Sequence, residues 1–282
     1  MVGKQNLLLR VAALALVAGE KELPPYSHPN SPHRYTQPQL LALLVLKAYL
    51  KLTYRQTVEL LEVSDTLQRV PGLKGVPRHT TLEEFASRVA DAERTDRLLG
   101  HVLAIDGRAV TDVAGDSTGL SPTRASVHYR SRSGKKGGHY VKLSLIVACT
   151  LLLPVSMSLA RRPANDLSDA RTLLWRAAGR CVPQAAYFDR GYDAQWVHRF
   201  FRDGLGCTSY IPPNPHTKDG SIKTPYRAEC QILPKSYGRR WHIESFFSGL
   251  KGSTGSSLKG PSDASRFSEA ALRVLAYAIR RV

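Results

Sequence analysis

Residues Tyr237 to Lys251 read YGRRWHIESFFSGLK. Wound as an α-helix at about 100° per residue, Tyr237, Arg240, Glu244 and Lys251 share an arc of roughly 60°. Ile243, Phe246, Phe247 and Leu250 occupy the next arc, the face such a helix presses into a core. The polar stripe therefore runs along the rim of a buried face, where a carboxylate is held rigidly and still meets a substrate. An ordinary amphipathic helix has the same pattern, with Arg240 and Glu244 as an i,i+4 ion pair on a solvated surface. Acids elsewhere in the chain decide between the two.

The bulk composition narrows the choice. A chain of 282 residues that is 43% hydrophobic can bury one large or two smaller cores, which excludes a disordered chain. A formal charge of +17 and a pI near 10.0 lie outside the usual range for an enzyme of small metabolites and point to a polyanion. Nucleic acid comes first. A membrane surface is a weak second, because no good lipidation motif accompanies the charge. The four cysteines, Cys149, Cys181, Cys207 and Cys230, show no C-x-x-C pair and no zinc spacing, and read as reduced thiols. Leu7 to Val17 has the look of a signal-peptide core, but Arg10 interrupts it and it is too short to span a bilayer. A helix packed on the body of the protein is expected there.

Residues 21–38 are rich in proline and polar residues and read as a linker or strap. Gln39 to Lys51 is apolar nearly all round, as a buried helix is. Capping boxes at Thr53/Gln56 and Thr80/Glu83 predict two further helices, with Val70 to His79 as a turn-rich connection. Residues 1–99 thus read as a small all-α region, either a DNA-reading unit or a packing unit. From Gly100 on, strands are predicted at Val102–Val113, ending at Asp116, and at His139–Ala148, Leu151–Leu159, Ala185–Phe188 and Cys207–Ile211. Helices are predicted at Leu167–Ala178, opened by Asn165 and Asp166, and after Asp193 as cap, closed by Gly204. Residues 212–236 read as loop and Ser265–Val282 as a last helix. The order suits an α/β domain of the ribonuclease H kind over residues 100–282.

Three acids stand at telling places in this order: Asp116 in GDSTGL, Asp189 directly after an apolar strand, and Glu244 on the helix rim. A phosphodiester displacement uses two divalent ions roughly 4 Å apart, and magnesium accepts a few hard carboxylates. Asp106 in AIDG competes with Asp116 for the first position. Asp193 reads equally as a turn or cap residue, and Tyr192 as core or contact.

DSTG at Asp116, FDRGYD around Asp189, and Tyr237-x2-Arg240-x3-Glu244-x6-Lys251 together resemble the three motifs of the DDE transposases of bacterial insertion sequences. The leucine-rich helix, LTYRQTVELL and VPRHTTL resemble that family's N-terminal region, which serves end recognition and assembly. The resemblance implies a ribonuclease H-like catalytic domain in which Asp116, Asp189 and Glu244 hold two Mg2+ ions, with Mn2+ as a substitute. Tyr237, Arg240 and Lys251 would contact phosphates of the cleaved DNA end. It further implies a cytoplasmic, nucleoid-associated protein that acts on element ends and target DNA, as a homodimer at least in the DNA complex. A nuclease without strand transfer and a non-catalytic or decayed DNA-binding derivative are the alternatives. Ser121 to Lys142 carries Arg124, Arg130, Arg132, Lys135, Lys136 and Lys142 with no acid, a block suited to tracking a phosphate backbone. Beyond Lys251 the sequence departs from the family: GSTGSSLKGPS is small, polar and expected to be flexible where relatives are basic.

Overall fold

Helix formation at the start of the chain follows from side-chain caps and from apolar stripes that need partners. The computed structural model describes residues 6–121, 140–161, 165–215 and 221–282. Packing divides these into a helical unit (6–106, 120–121 and 250–282) and a sheet unit (107–119, 140–161, 165–215 and 221–249). In the helical unit, α1 (Leu7–Glu22) is opened by Asn6, whose Oδ1 accepts the Leu8 amide at 2.9 Å. It buries Val11, Ala12, Ala15, Ala18 and Gly19, and at Gly19 a Cβ would crowd Leu41 and Pro38 at 3.1 Å. Small residues thus let α1 lie close on α2 (Gln37–Leu50), which is buried along most of its length as its composition requires. A capping box at Thr36/Gln39 starts α2 earlier than expected and shortens the predicted strap.

Three more short helices follow: α3 (Tyr54–Glu62), α4 (Asp65–Arg69) and α5 (His79–Val89). The Thr53/Gln56 box forms as expected. The one expected at Thr80/Glu83 does not, because α5 begins at His79, two residues earlier than a Thr80 cap requires, with Arg78 at the cap position and no side-chain cap. α6 (Ala92–Asp106) overturns the strand expected from Val102. Leu98, Leu99, Val102 and Leu103 are spaced for a helical face, and burial on that face outweighs the local β preference of the valine. Asp106, the rival acid, therefore ends a helix of the helical unit.

The sheet unit is a mixed α/β layer with a five-stranded sheet in the order β3-β2-β1-β4-β5. Its strands are β1 (Asp112–Leu120), β2 (Val141–Ala148), β3 (Leu153–Arg161), β4 (Ala185–Phe188) and β5 (Thr208–Tyr210). β2 and β3 are antiparallel, while β1, β4 and β5 run parallel. The arrangement is compatible with the expected ribonuclease H-like layout. α7 (Asp166–Ala178), opened by Asn165, covers β2 and β3. β1 does not stop at Asp116 but runs four residues beyond it. Gly115 faces Phe188 across the β1/β4 ladder, and a Cβ there would overlap the buried phenyl ring.

Asp193 does not cap the next helix, α8 (Gln195–Arg199), which continues as a π turn through Gly204. The buried Asp193 carboxylate instead accepts two hydrogen bonds from Arg227, at 2.8 and 2.7 Å, and one from the Asn214 amide at 2.6 Å. It thereby ties the end of the DRGYD segment to the loop and to α9 (Pro225–Glu229), a short helix within the stretch expected to be loop. A 3-10 turn at Lys235–Arg240 leads into α10 (Trp241–Thr254), so Tyr237 and Arg240 precede the α-helix on which Glu244 sits.

The last helix, α11 (Asp263–Arg281), packs on α1, α2, α5 and α6. The segment before it is held rather than loose. Arg273 donates to Gly255 O and Ser257 O, both at 2.8 Å, and Glu269 accepts the amides of Lys259 and Gly260 at 2.7 and 2.9 Å. Leu258 is buried beneath it.

Candidate active site

The β1/β4 register places the two aspartates side by side. The last rung pairs Gly115 with Phe188, so Asp116 and Asp189 are the next residues along the two chain segments. Asp116 is mostly buried; its Oδ1 accepts the Ser117 amide at 2.7 Å and its Oδ2 accepts Arg240 Nη1 at 3.2 Å. Burial pushes its carboxyl up to about 6; the Ser117 amide and Arg240 oppose the shift, and the charges of Asp189 and Asp166 add to it.

Arg240 spans two acids. Its Nη2 donates to Glu244 Oε1 at 2.5 Å while Nη1 holds Asp116. Burial works against the guanidinium charge, but Glu244, Tyr237, Asp116 and Asp189 together outweigh it and hold its pKa above the ordinary value. The i,i+4 pair that a plain surface helix would show is thus present, but it is one arm of a bridge into the sheet. Tyr237 uses its hydroxyl proton on the Phe188 carbonyl, at 3.0 Å, and burial pushes its pKa up to about 12. It is a neutral donor pinned to the strand that delivers Asp189.

A family model described as a transposase DDE domain matches residues 102–279, more than half of the chain. The chain belongs to the DDE transposases. No curated protein matches it. Membership in a transposase family implies DNA as the partner, and among the described residues no helix is long and apolar enough to cross a membrane.

DDE transposases generally use divalent metal ions. In this transposase the Asp116 carboxylate on β1 and the Asp189 carboxylate just past the end of β4 are both hard oxygen donors, so the pair fits such an ion by donor chemistry. Among the described residues no three His, Cys, Asp or Glu side chains gather closely enough to hold one as they stand. Glu244 is engaged by Arg240.

The remaining expected site residues are distributed unevenly. Lys251 lies further along α10, in the part that belongs to the helical unit, and burial lowers its pKa. Arg130, Arg132, Lys135 and Lys136 lie outside the described residues. Lys142, counted with that basic block, is a correction: it is buried in β2 and pairs with Asp166 at 2.9 Å and Asp169 at 3.5 Å. A lysine so placed neutralises internal acids and does not grip a phosphate backbone. Tyr192 is fully buried, edge-on to Phe188 at 5.1 Å, and is core. The residue the sequence reading missed is Asp166, taken only as a helix opener: its Oδ1 also accepts Ser117 Oγ at 2.7 Å. No local pattern announces a contact between residues so far apart in the chain.

Proposed function

We propose that this transposase binds the inverted-repeat ends of its element, hydrolyses the phosphodiester there, and joins the freed 3′-OH to target DNA. The observation that carries the reading is the juxtaposition of Asp116 and Asp189 in register, with Arg240 linking Asp116 to Glu244. Asp116, Asp189 and Glu244 would hold Mg2+ or Mn2+, which supplies activation of the attacking oxygen and stabilisation of the leaving one. In the first step water attacks phosphorus and the P–O3′ bond breaks, leaving a 3′-OH and a 5′-phosphate. In the second that 3′-OH attacks a target phosphodiester, one P–O bond forming as another breaks.

Arg240 brings a forked, permanently charged donor to the acids, and DNA phosphate is the natural competitor for it. Once drawn to a phosphate oxygen, the guanidinium frees Asp116 and Glu244 for the cation. Tyr237 keeps the strand end at Phe188 in place rather than donating to DNA. Arg130, Arg132, Lys135, Lys136 and Lys251 supply further phosphate contacts, and the helical unit serves end binding and assembly. Two copies act together, one for each element end, on DNA in the cytoplasm.

Replacing Asp116, Asp189 or Glu244 by alanine abolishes end cleavage while DNA binding persists, measured by strand nicking and by gel shift on a matched-end duplex. Unchanged cleavage in any one variant removes that residue from the site. A plasmid target assay separates a transposase from a nuclease, since only the former joins the cut end to new DNA.

A further inference from the structure

Hydrogen-bonded rungs between β1 and β4 stop at Gly115 and Phe188, one residue short of the two aspartates. β1 continues through Asp116 and Ser117, but on the other side the chain turns into the 3-10 segment Arg190–Tyr192. The ladder brings the two aspartates alongside each other but pairs neither of them, so their exact separation depends on further contacts.

Asp166 is placed to do this. Its Oδ1 accepts Ser117 Oγ at 2.7 Å, directly beside Asp116 in sequence. The same oxygen receives Lys142 Nζ at 2.9 Å, from a buried lysine on β2 that also meets Asp169 at 3.5 Å. Its Oδ2 lies over Gly191, two residues past Asp189, so closely that a Cβ there would overlap the carboxylate. One carboxylate thus touches a neighbour of each aspartate. Lys142 pairs with it in a largely enclosed place, where an unpaired carboxylate is costly. The contact also explains why glycine stands in the DRGY segment. Any side chain at 191 would drive Asp166 off Ser117.

We propose that Asp166 is a positioning residue which, through Ser117 and Gly191, sets the separation at which Asp116 and Asp189 face each other. The inference rests on the reading of those aspartates as metal ligands.

The test is Mn2+ binding to the full chain, followed by electron paramagnetic resonance, alongside end-cleavage kinetics, with D116A as the control that defines binding at this site. D166A and G191A each weaken the Asp116-dependent Mn2+ binding about tenfold and lower kcat with little change in KM for DNA. The double variant is no worse than D166A, because alanine at 166 vacates the space a methyl at 191 needs. D166N, which keeps volume and an acceptor for Ser117, recovers affinity to within about threefold of wild type. D166A, or G191A should D166A fold poorly, with wild-type Mn2+ affinity and kcat overturns the positioning role alone, whatever the melting temperature. Absence of any Asp116-dependent Mn2+ binding in the wild-type protein overturns the metal-ligand reading, and this inference with it.

Discussion

Arg240 and Asp116 are 124 positions apart in the chain and 3.2 Å apart in space, with the second arm of the same guanidinium on Glu244 at 2.5 Å. The bridge joins the helix end to the sheet with a group that is planar and cannot lose its charge. R240A is expected to lower end cleavage roughly 10²-fold, the usual scale for one lost charged donor at a reacting centre. R240K keeps the charge but not the fork, so it recovers only part of that loss. Single-turnover cleavage of a matched-end duplex distinguishes the three proteins. Equal rates for R240K and wild type would show that charge alone matters.

Asp116 sets a pH dependence whose sign can be worked out. Its carboxyl is raised from 3.8 to about 6, mainly by burial, so between those values the folded protein holds a proton that the unfolded chain has lost. Ionising Asp116 therefore costs stability as pH rises through that window, on the order of 3 kcal/mol in total. D116N escapes the cost. Its melting temperature exceeds that of the wild type at pH 8, and the gap closes as pH falls from about 6 toward 4. A gap that stays constant with pH would rule out this origin.

Gly115 admits no substitution while Phe188 is present. In G115A the new methyl would enter the ring of a buried phenylalanine on the neighbouring strand, and overpacking of this severity costs about 1–3 kcal/mol or more. The double variant G115A/F188L, with a narrower side chain, loses less stability than the two single changes added together. Urea denaturation of the four proteins measures that coupling.

Arg273 is buried and holds the backbone before α11 through Gly255 O and Ser257 O, with Glu269 as its charge partner. R273M keeps much of the volume but leaves two carbonyls and one carboxylate without that donor. A loss of roughly 2–4 kcal/mol is expected. Limited proteolysis then cuts within 255–262, where the wild-type chain resists.

Much of the sheet unit was legible because its signals are local. Ala185–Phe188 is β4 residue for residue, and Asn165 opens α7 as its side chain predicts. Local signals also misled. Val102–Asp106 has β-favouring residues yet ends α6, and the Thr80/Glu83 pattern makes no cap, because burial among neighbouring helices chose the helix and its start. Lys142 reads as one more cation in a basic run, but alternation on a fully buried strand turns it toward Asp166. Asp193 reads as a cap and is the acceptor for Arg227, a partner 34 positions away.

By itself, then, the sequence determined the family, the basic character and the three acids of the candidate site, since motif spacing and charge are properties of the chain. The tertiary structure alone decided which groups meet. It set Asp116 beside Asp189 through strand register, put Arg240 between Asp116 and Glu244, and brought Asp166 to Ser117 and Gly191. Those contacts depend on how strands and helices stack, and that arrangement follows from burying apolar faces far apart in the chain, which no local spacing records.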